Sequence, residues 1–175
     1  MKQTFLSTTL LLASVILLSL SCQKDVNKQE QPQEEIATTI GTANNPTFNL
    51  EVILRGEDGR LGHVKFRQDV DPSKIVILDT WVRDLEPNHQ YLLQRAVDAA
   101  NVVDGKCTST SWLTLGKGLT PQSILTGDNG SGGEELWRDV SAVASGSAFD
   151  IHFRIVDATT MAVVLTSDCY QYVVR

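Results

Sequence analysis

Phe149-Asp150-Ile151-His152-Phe153-Arg154-Ile155 alternates apolar and polar side chains without a break. A period of two places Phe149, Ile151, Phe153 and Ile155 on one face and Asp150, His152 and Arg154 on the other, as in a strand with one side against a core. The polar row reads as a solvated face. Strands of this kind recur on both sides of it. Toward the C-terminus, residues 162–174 form a further apolar run. Toward the N-terminus, Phe48, Leu50, Val52 and Leu54 alternate strictly, and the turn Gly56-Glu57-Asp58-Gly59 leads into residues 61–68, where Val64 and Phe66 face alike. That pair predicts a hairpin. After Asp71-Pro72-Ser73, residues 74–83 contain the run IVILDTWV, continuous enough for a central strand. Residues 108–115, 123–126 and 135–143 continue in the same style between Gly-, Asn- and Asp-rich turns. Only residues 91–100 let a helix compete. The expectation is an all-β domain: one Greek-key β-sandwich of about seven to nine strands, with no internal repeat.

Residues 1–46 differ in kind. Met1-Lys2 is followed by an apolar stretch over residues 4–20, which matches the charged start and apolar centre of a signal peptide. A permanent membrane span is the competing reading, since the run approaches the length a span needs. Leu17-Leu18-Ser19-Leu20-Ser21-Cys22 then puts a small residue before a lone cysteine where the chain turns polar. It resembles a lipobox, the cleavage site of bacterial lipoproteins, with Ser19 where the usual pattern has Leu. The resemblance implies that residues 1–21 are removed and that Cys22 is the lipid-bearing first residue. Gln23-Lys24-Asp25 follows, similar to the short charged tags that direct some lipoproteins to the surface of the outer membrane. Residues 22–46 are rich in Gln, Glu, Lys, Thr and Asn and too poor in apolar side chains to bury a core. They read as a flexible tether, leaving residues 47–175 as the folded domain.

The formal charge is −6, and losing Lys2 with the signal takes it to −7. That balance argues against nucleic acid and anionic headgroups as partners, since those need clustered Lys and Arg. Of the three cysteines, assigning Cys22 to lipid leaves Cys107 and Cys169 with one pairing in an oxidising compartment. A bridge closing that loop stabilises the fold by about 4 kcal/mol on the chain-entropy account.

Two segments resemble known families. Leu85-Glu86-Pro87-Asn88-His89-Gln90-Tyr91 has the Leu-x-Pro-x-x-x-Tyr spacing of the tyrosine corner of fibronectin type III, or immunoglobulin-like, sandwiches, which implies a Tyr91 hydroxyl tied to a nearby carbonyl. Val52-Ile53-Leu54-Arg55-Gly56, Gly62-His63-Val64-Lys65-Phe66-Arg67-Gln68, residues 85–89, Lys106-Cys107-Thr108-Ser109 and Cys169 resemble, in order, the Cu/Zn superoxide dismutase sandwich. That likeness concerns topology and the disulfide. Its metal chemistry does not carry over, because the copper-ligand positions read Leu92 and Gln94 and a bridging-ligand position falls near Trp112.

No catalytic constellation stands out. His63, His89 and His152 lie in separate segments and read as ordinary surface histidines rather than a zinc site. No nucleophile elbow is present, and Glu134 with Glu135 or Asp139 are the carboxylate pairs a glycoside hydrolase would need. Asp128-Asn129-Gly130-Ser131-Gly132-Gly133-Glu134-Glu135 offers Asp128, Asn129 and Glu134 as oxygen ligands for calcium, though the spacing is not that of an EF-hand and a long hairpin loop favours the same residues. Trp81, Trp112 and Trp137 would make a sugar-stacking platform if exposed together; in a sandwich, aromatics more often sit in the core. The reading is an exported outer-membrane lipoprotein, held to the membrane through Cys22. Its domain is a non-enzymatic binding or structural module without a cofactor, for an unidentified protein or glycan ligand. Glycan or calcium binding and hydrolase or metal-dependent enzyme chemistry are the alternatives.

Overall fold

The computed structural model describes residues 47–175; the signal, the lipobox with Cys22, and the tether lie outside the described residues. The strands are β1 (Thr47–Arg55), β2 (Leu61–Asp69), β3 (Ile75–Arg83), β4 (Gln90–Val97), β5 (Leu113–Thr114), β6 (Gly116–Lys117), β7 (Thr120–Pro121), β8 (Ser123–Leu125), β9 (Gly132–Asp139), β10 (Ala148–Asp157), β11 (Val163–Ser167) and β12 (Tyr170–Val173). One three-residue 3-10 turn, Glu57–Gly59, joins β1 to β2, and the described residues contain no α-helix. The all-β expectation holds, and so does the disulfide: Cys107 and Cys169 are bonded.

The count and closure of the sheet differ from expectation. Twelve strands form one hydrogen-bonded sheet in the order β5-β4-β10-β11-β1-β2-β3-β9-β6-β7, with β12 also on β10 and β8 also on β4. Its two ends nearly meet, because residues 113–117 run from β4 to β9: Thr114 pairs with Gln94, and Lys117 pairs with Trp137. The sheet is therefore an almost closed barrel. Pairing is dense within two sets of strands and thin between them. β1, β2, β3 and β9 are in continuous antiparallel register, from Thr47 opposite Asp69 through Val64 opposite Thr80 to Leu78 opposite Leu136. β4, β10, β11 and β12 form the second set, from Leu93 opposite Ile155 to Phe149 opposite Tyr172. On one side the sets are joined only by Leu54 with Ser167 and Arg55 with Thr166. Seven to nine strands was an undercount because bridging segments of two or three residues carry no readable period. The run 162–174 is two strands, interrupted at Asp168-Cys169 where the disulfide lies.

Between the sets lies the core that the alternation specified. Val52, Leu54, Val64, Phe66, Leu78 and Leu136 meet Leu93, Ile151, Phe153, Ile155 and Leu165, all essentially without exposure. Phe66 joins them edge-on, with ring centroids 4.8 Å from Tyr172 and 6.3 Å from Phe153. Residues 91–97, where a helix competed, form a strand because β10 pairs along all of them.

At one end, the chain crosses from β3 to β4 through the expected tyrosine corner. Its bonding is reversed: the Tyr91 hydroxyl accepts the Glu86 amide at 3.1 Å instead of donating to a carbonyl. The Glu86 carbonyl is taken by the buried Thr126 hydroxyl at 2.6 Å. Beside it, His89 Nε2 lies 2.5 Å from Asp157, whose carboxyl is pulled down to about 2, chiefly by the Thr160 and Thr159 amides with His89 adding to them.

Candidate functional site

The two sets present two outer faces, and their strand registers decide which side chains each displays. On β1, β2, β3 and β9, the outward positions form cross-strand rows. Ile53, His63, Trp81 and Gly133 make one row; Glu51, Lys65, Asp79 and Glu135 the next; Asn49, Arg67, Ile77 and Trp137 the third. Trp81 and Trp137 are the two exposed tryptophans, at 44% and 37%. Four residues of β9 and one strand spacing separate them, or about 14 Å from strand geometry. The Trp137 ring rests on Gly118, where an added Cβ would come within 2.8 Å of it. Beside Trp81 lies a shallow depression lined by His63, Lys65, Asp79, Thr80, Trp81, Glu134 and Glu135.

Polar groups on this face are partly committed. His63 meets Glu51, and Arg67 donates to Asp79 at 2.5 Å. Lys65 and Glu135 form no hydrogen bond or ion pair with another described residue. Asp79 and Glu135 stand directly opposite each other, a like-charge juxtaposition that weakens a sheet. The face is thus uncovered by other segments at Trp81 and carries two partly exposed indole rings with the unpaired side chains of Lys65 and Glu135 in the row between them. Such a surface stacks on the apolar faces of rings while bonding their polar edges.

Trp112 is elsewhere. Residues 98–112, where a strand over 108–115 was expected, form a loop that lies across the outer face of β4 and β10 and is bonded through Cys107 to Cys169. The solvated row expected at Asp150, His152 and Arg154 is therefore covered. Asp150 is fully buried and accepts the Asp104 and Gly105 amides at 2.8 and 3.0 Å. His152 Nε2 meets the Ser109 carbonyl at 3.0 Å, and its ring centroid lies 4.6 Å from Trp112. Arg154 sits 4.0 Å over the Trp112 ring and donates to Gln94 at 2.8 Å. Asp98 holds the loop from the other side by accepting the Thr108 and Ser109 amides, which draw its pKa down. Alternation alone reports which way Asp150, His152 and Arg154 point. It cannot report that a loop lies over them.

Asp128, Asn129 and Glu134 are not gathered. Asp128 accepts the Asn88 side-chain amide at 2.9 Å, Asn129 accepts the Ser131 amide at 3.0 Å, and Glu134 pairs with Lys117 at 2.7 Å. No group of three or more His, Cys, Asp or Glu among the described residues could hold a metal ion. The loop's composition has another cause. It docks on the tyrosine corner, with Leu85 N donating to Gly130 O at 3.1 Å and Asn88 N to Gly127 O at 3.3 Å. Gly130 has a φ of 69°, and a Cβ there would lie 2.2 Å from the Leu85 carbonyl oxygen, so no other residue fits. Glu134 and Glu135 point to opposite faces of β9, and Asp139 lies about 16 Å along the strand from Glu134, beyond the reach of paired carboxylates. The histidines stay in separate places, at Glu51, Asp157 and Ser109.

Sequence reasoning named Trp81 and Trp137, and Glu135 only as a partner of Glu134, but missed that Lys65, Asp79 and Glu135 form a row between the two tryptophans. Their alternation with Val64, Phe66, Leu78 and Leu136 was legible; their juxtaposition depends on register, which the strands settle only when paired. Comparison with protein-family models, curated proteins and solved structures returns no match.

Proposed function

We propose that the domain is a non-enzymatic glycan-binding module of an exported lipoprotein, and that the outer face of β2, β3 and β9 is its binding surface. The observation that carries this is the pair Trp81 and Trp137, both exposed on one sheet face about 14 Å apart with unpaired Lys65 and Glu135 between them. Exposed tryptophans add nothing to a core, and a pair on one flat face suits an extended chain of sugar rings. The lipobox-like site at Cys22 and the polar residues 23–46 support anchoring to the outer membrane, with the face turned to material outside it. The sandwich-like pairing of two strand sets and the Cys107–Cys169 bridge support kinship with immunoglobulin-like or superoxide dismutase-like bodies, with Leu92 and Gln94 at the copper positions.

Affinity electrophoresis of the full-length protein through soluble starch, xylan and mannan tests the ligand class. Retardation by at least one polysaccharide is expected, and Trp81→Ala or Trp137→Ala should weaken it about three- to tenfold, the range of one aromatic contact. Trp112→Ala should leave it unchanged. Migration unaffected by every polysaccharide, or retained in both exposed-tryptophan variants, removes the proposal. Asp79 opposite Glu135 is the carboxylate pair on this face that a hydrolase reading would use, and release of new reducing ends from a retained polysaccharide would select it. Globomycin tests the anchor: unchanged processing in its presence contradicts lipidation at Cys22.

A further inference from the structure

Strand alternation assigns inward positions on β4 to Tyr91, Leu93, Arg95 and Val97, and on β9 to Leu136 and Arg138. Two of these core-facing places hold arginine. Both guanidinium-bearing side chains line a cavity of about 150 Å³ between the two strand sets, at the end opposite the tyrosine corner. The remaining lining is almost wholly apolar, with Phe66, Leu78, Phe149 and Phe153 prominent and Tyr172 the one hydroxyl-bearing side chain.

Cations drawn partly out of water are normally paired, because desolvating a charge is costly. These two are half-buried, and neither has an ion pair among the described residues. The Arg95 side chain has no hydrogen bond or ion pair with another described residue. Arg138 donates only to the Gly118 carbonyl, at 3.1 Å. Asp139, the carboxylate next to Arg138 in the chain, is exposed and accepts the Ser141 amide at 2.7 Å. The Tyr172 hydroxyl donates away from the arginines, to Gln68 at 2.7 Å. Burial lowers the pKa of Arg95, and the like charge of Arg138 lowers it further. Two arginines near enough to repel each other, in an apolar chamber without a carboxylate, form half of a charge pair whose other half is not supplied by the described residues.

We propose that this cavity binds a small organic carboxylate with an apolar body, the carboxylate lying between Arg95 and Arg138 and the body among Phe66, Leu78, Phe149 and Phe153. Arginine forks match a carboxylate in shape and charge, and an apolar chamber of about 150 Å³ accommodates a body the size of one benzene ring. This site is on the interior side of the strands whose outer face carries Trp81 and Trp137, so it is independent of the glycan surface.

Calorimetric titration of the full-length protein with benzoate and hexanoate tests it, with benzamide as the body lacking charge and acetate as the charge lacking a body. At least one of the two carboxylates is expected to bind, about tenfold or more tighter than either control, since a charged hydrogen bond contributes on that order. Arg95→Met and Arg138→Met keep an unbranched side chain while removing the charge, and each should weaken the carboxylate about tenfold. Both variants should remain folded by circular dichroism without ligand, because each replaces a half-buried charge that has no ion-pair partner with an apolar group of similar length. Benzamide binding as tightly as benzoate, unchanged carboxylate affinity in folded Arg→Met variants, or no binding of either carboxylate at millimolar concentration would each overturn the proposal.

Discussion

The outer face of β4 and β10 and the outer face of β2, β3 and β9 are built from the same kinds of side chain. Each has a histidine, an arginine and carboxylates on alternate strand positions, and a tryptophan against them, from the covering loop on the first and from the strands themselves on the second. On the first, Trp112 is clamped by Arg154 and His152, and Asp150 is closed off from water. On the second, Trp81 is bare, and Lys65 and Glu135 stand without partners among the described residues. The difference is a loop: residues 98–112 are long enough to fold back over one face, and Cys107–Cys169 fastens them there. One face therefore commits its polar groups to internal bonds, and the other leaves the Lys65 and Glu135 side chains available.

Removing the fastening should have the largest effect. Replacing Cys107 and Cys169 together with alanine is expected to cost about 4 kcal/mol, the chain-entropy value for a loop of 62 residues. Hydrogen exchange should show the Thr108 and Ser109 amides opening first, ahead of β2 and β3. Equal acceleration everywhere would mean that the cover and the sheets unfold as one unit.

Asp150→Ala comes next. It deprives the Asp104 and Gly105 amides of their acceptor and should cost about 3 kcal/mol in chemical denaturation, as charged hydrogen bonds to a buried acceptor do. Glu135→Ala on the open face should cost less than about 0.5 kcal/mol. A small loss at Asp150 would show that the loop contributes little to the covered face.

The tryptophans give the sharpest contrast. Trp112→Ala should lower stability by about 1–2 kcal/mol through lost packing and the Arg154 contact, whereas Trp81→Ala should change stability by less than about 0.5 kcal/mol and act on ligand binding. Reversal of that order would transfer the candidate site to the covered face.

The smallest effect is in acid. Asp98 has its pKa lowered by the amides of Thr108 and Ser109, so the stability it contributes is present above the ordinary carboxylate value of 3.8 and is lost as pH falls through the lowered one. The stability gap between the parent and Asp98→Asn should therefore be full at neutral pH and close below about pH 4. Asp157, pulled down to about 2, should behave alike at the tyrosine-corner end, with its gap closing as pH falls toward that value. A gap that is constant with pH would mean that neither carboxylate's charge matters to its hydrogen bonds.

Legibility in the sequence followed the range of the interaction involved. Phe48 to Leu54 and Phe149 to Ile155 announced their strands because side-chain direction along a strand depends on neighbours two residues away. Tyr91 announced its corner through the Leu85 and Pro87 spacing, though not that its hydroxyl would accept from Glu86, since Thr126 takes the carbonyl from 40 residues further on. Residues 113–117 were unreadable as the segment that nearly closes the barrel: two or three paired residues have no periodicity. Arg95 and Arg138 carried a signal that went unused, two charges at inward parity beside Leu93 and Leu136.

By itself, the sequence determined the long alternating strands, their core faces and the change of character at residue 47, and it pointed to the pairing of Cys107 with Cys169 once Cys22 was assigned to lipid. These follow from local alternation, from composition and from counting. Only the tertiary structure decided that the sheet nearly closes, that a loop buries Asp150 and packs on His152, that Trp81 and Trp137 share an open face while Trp112 does not, and that two arginines line one cavity. Each of these depends on the register and return path of segments distant in the chain, which are set by which pairings bury the most apolar surface together and which no local pattern encodes.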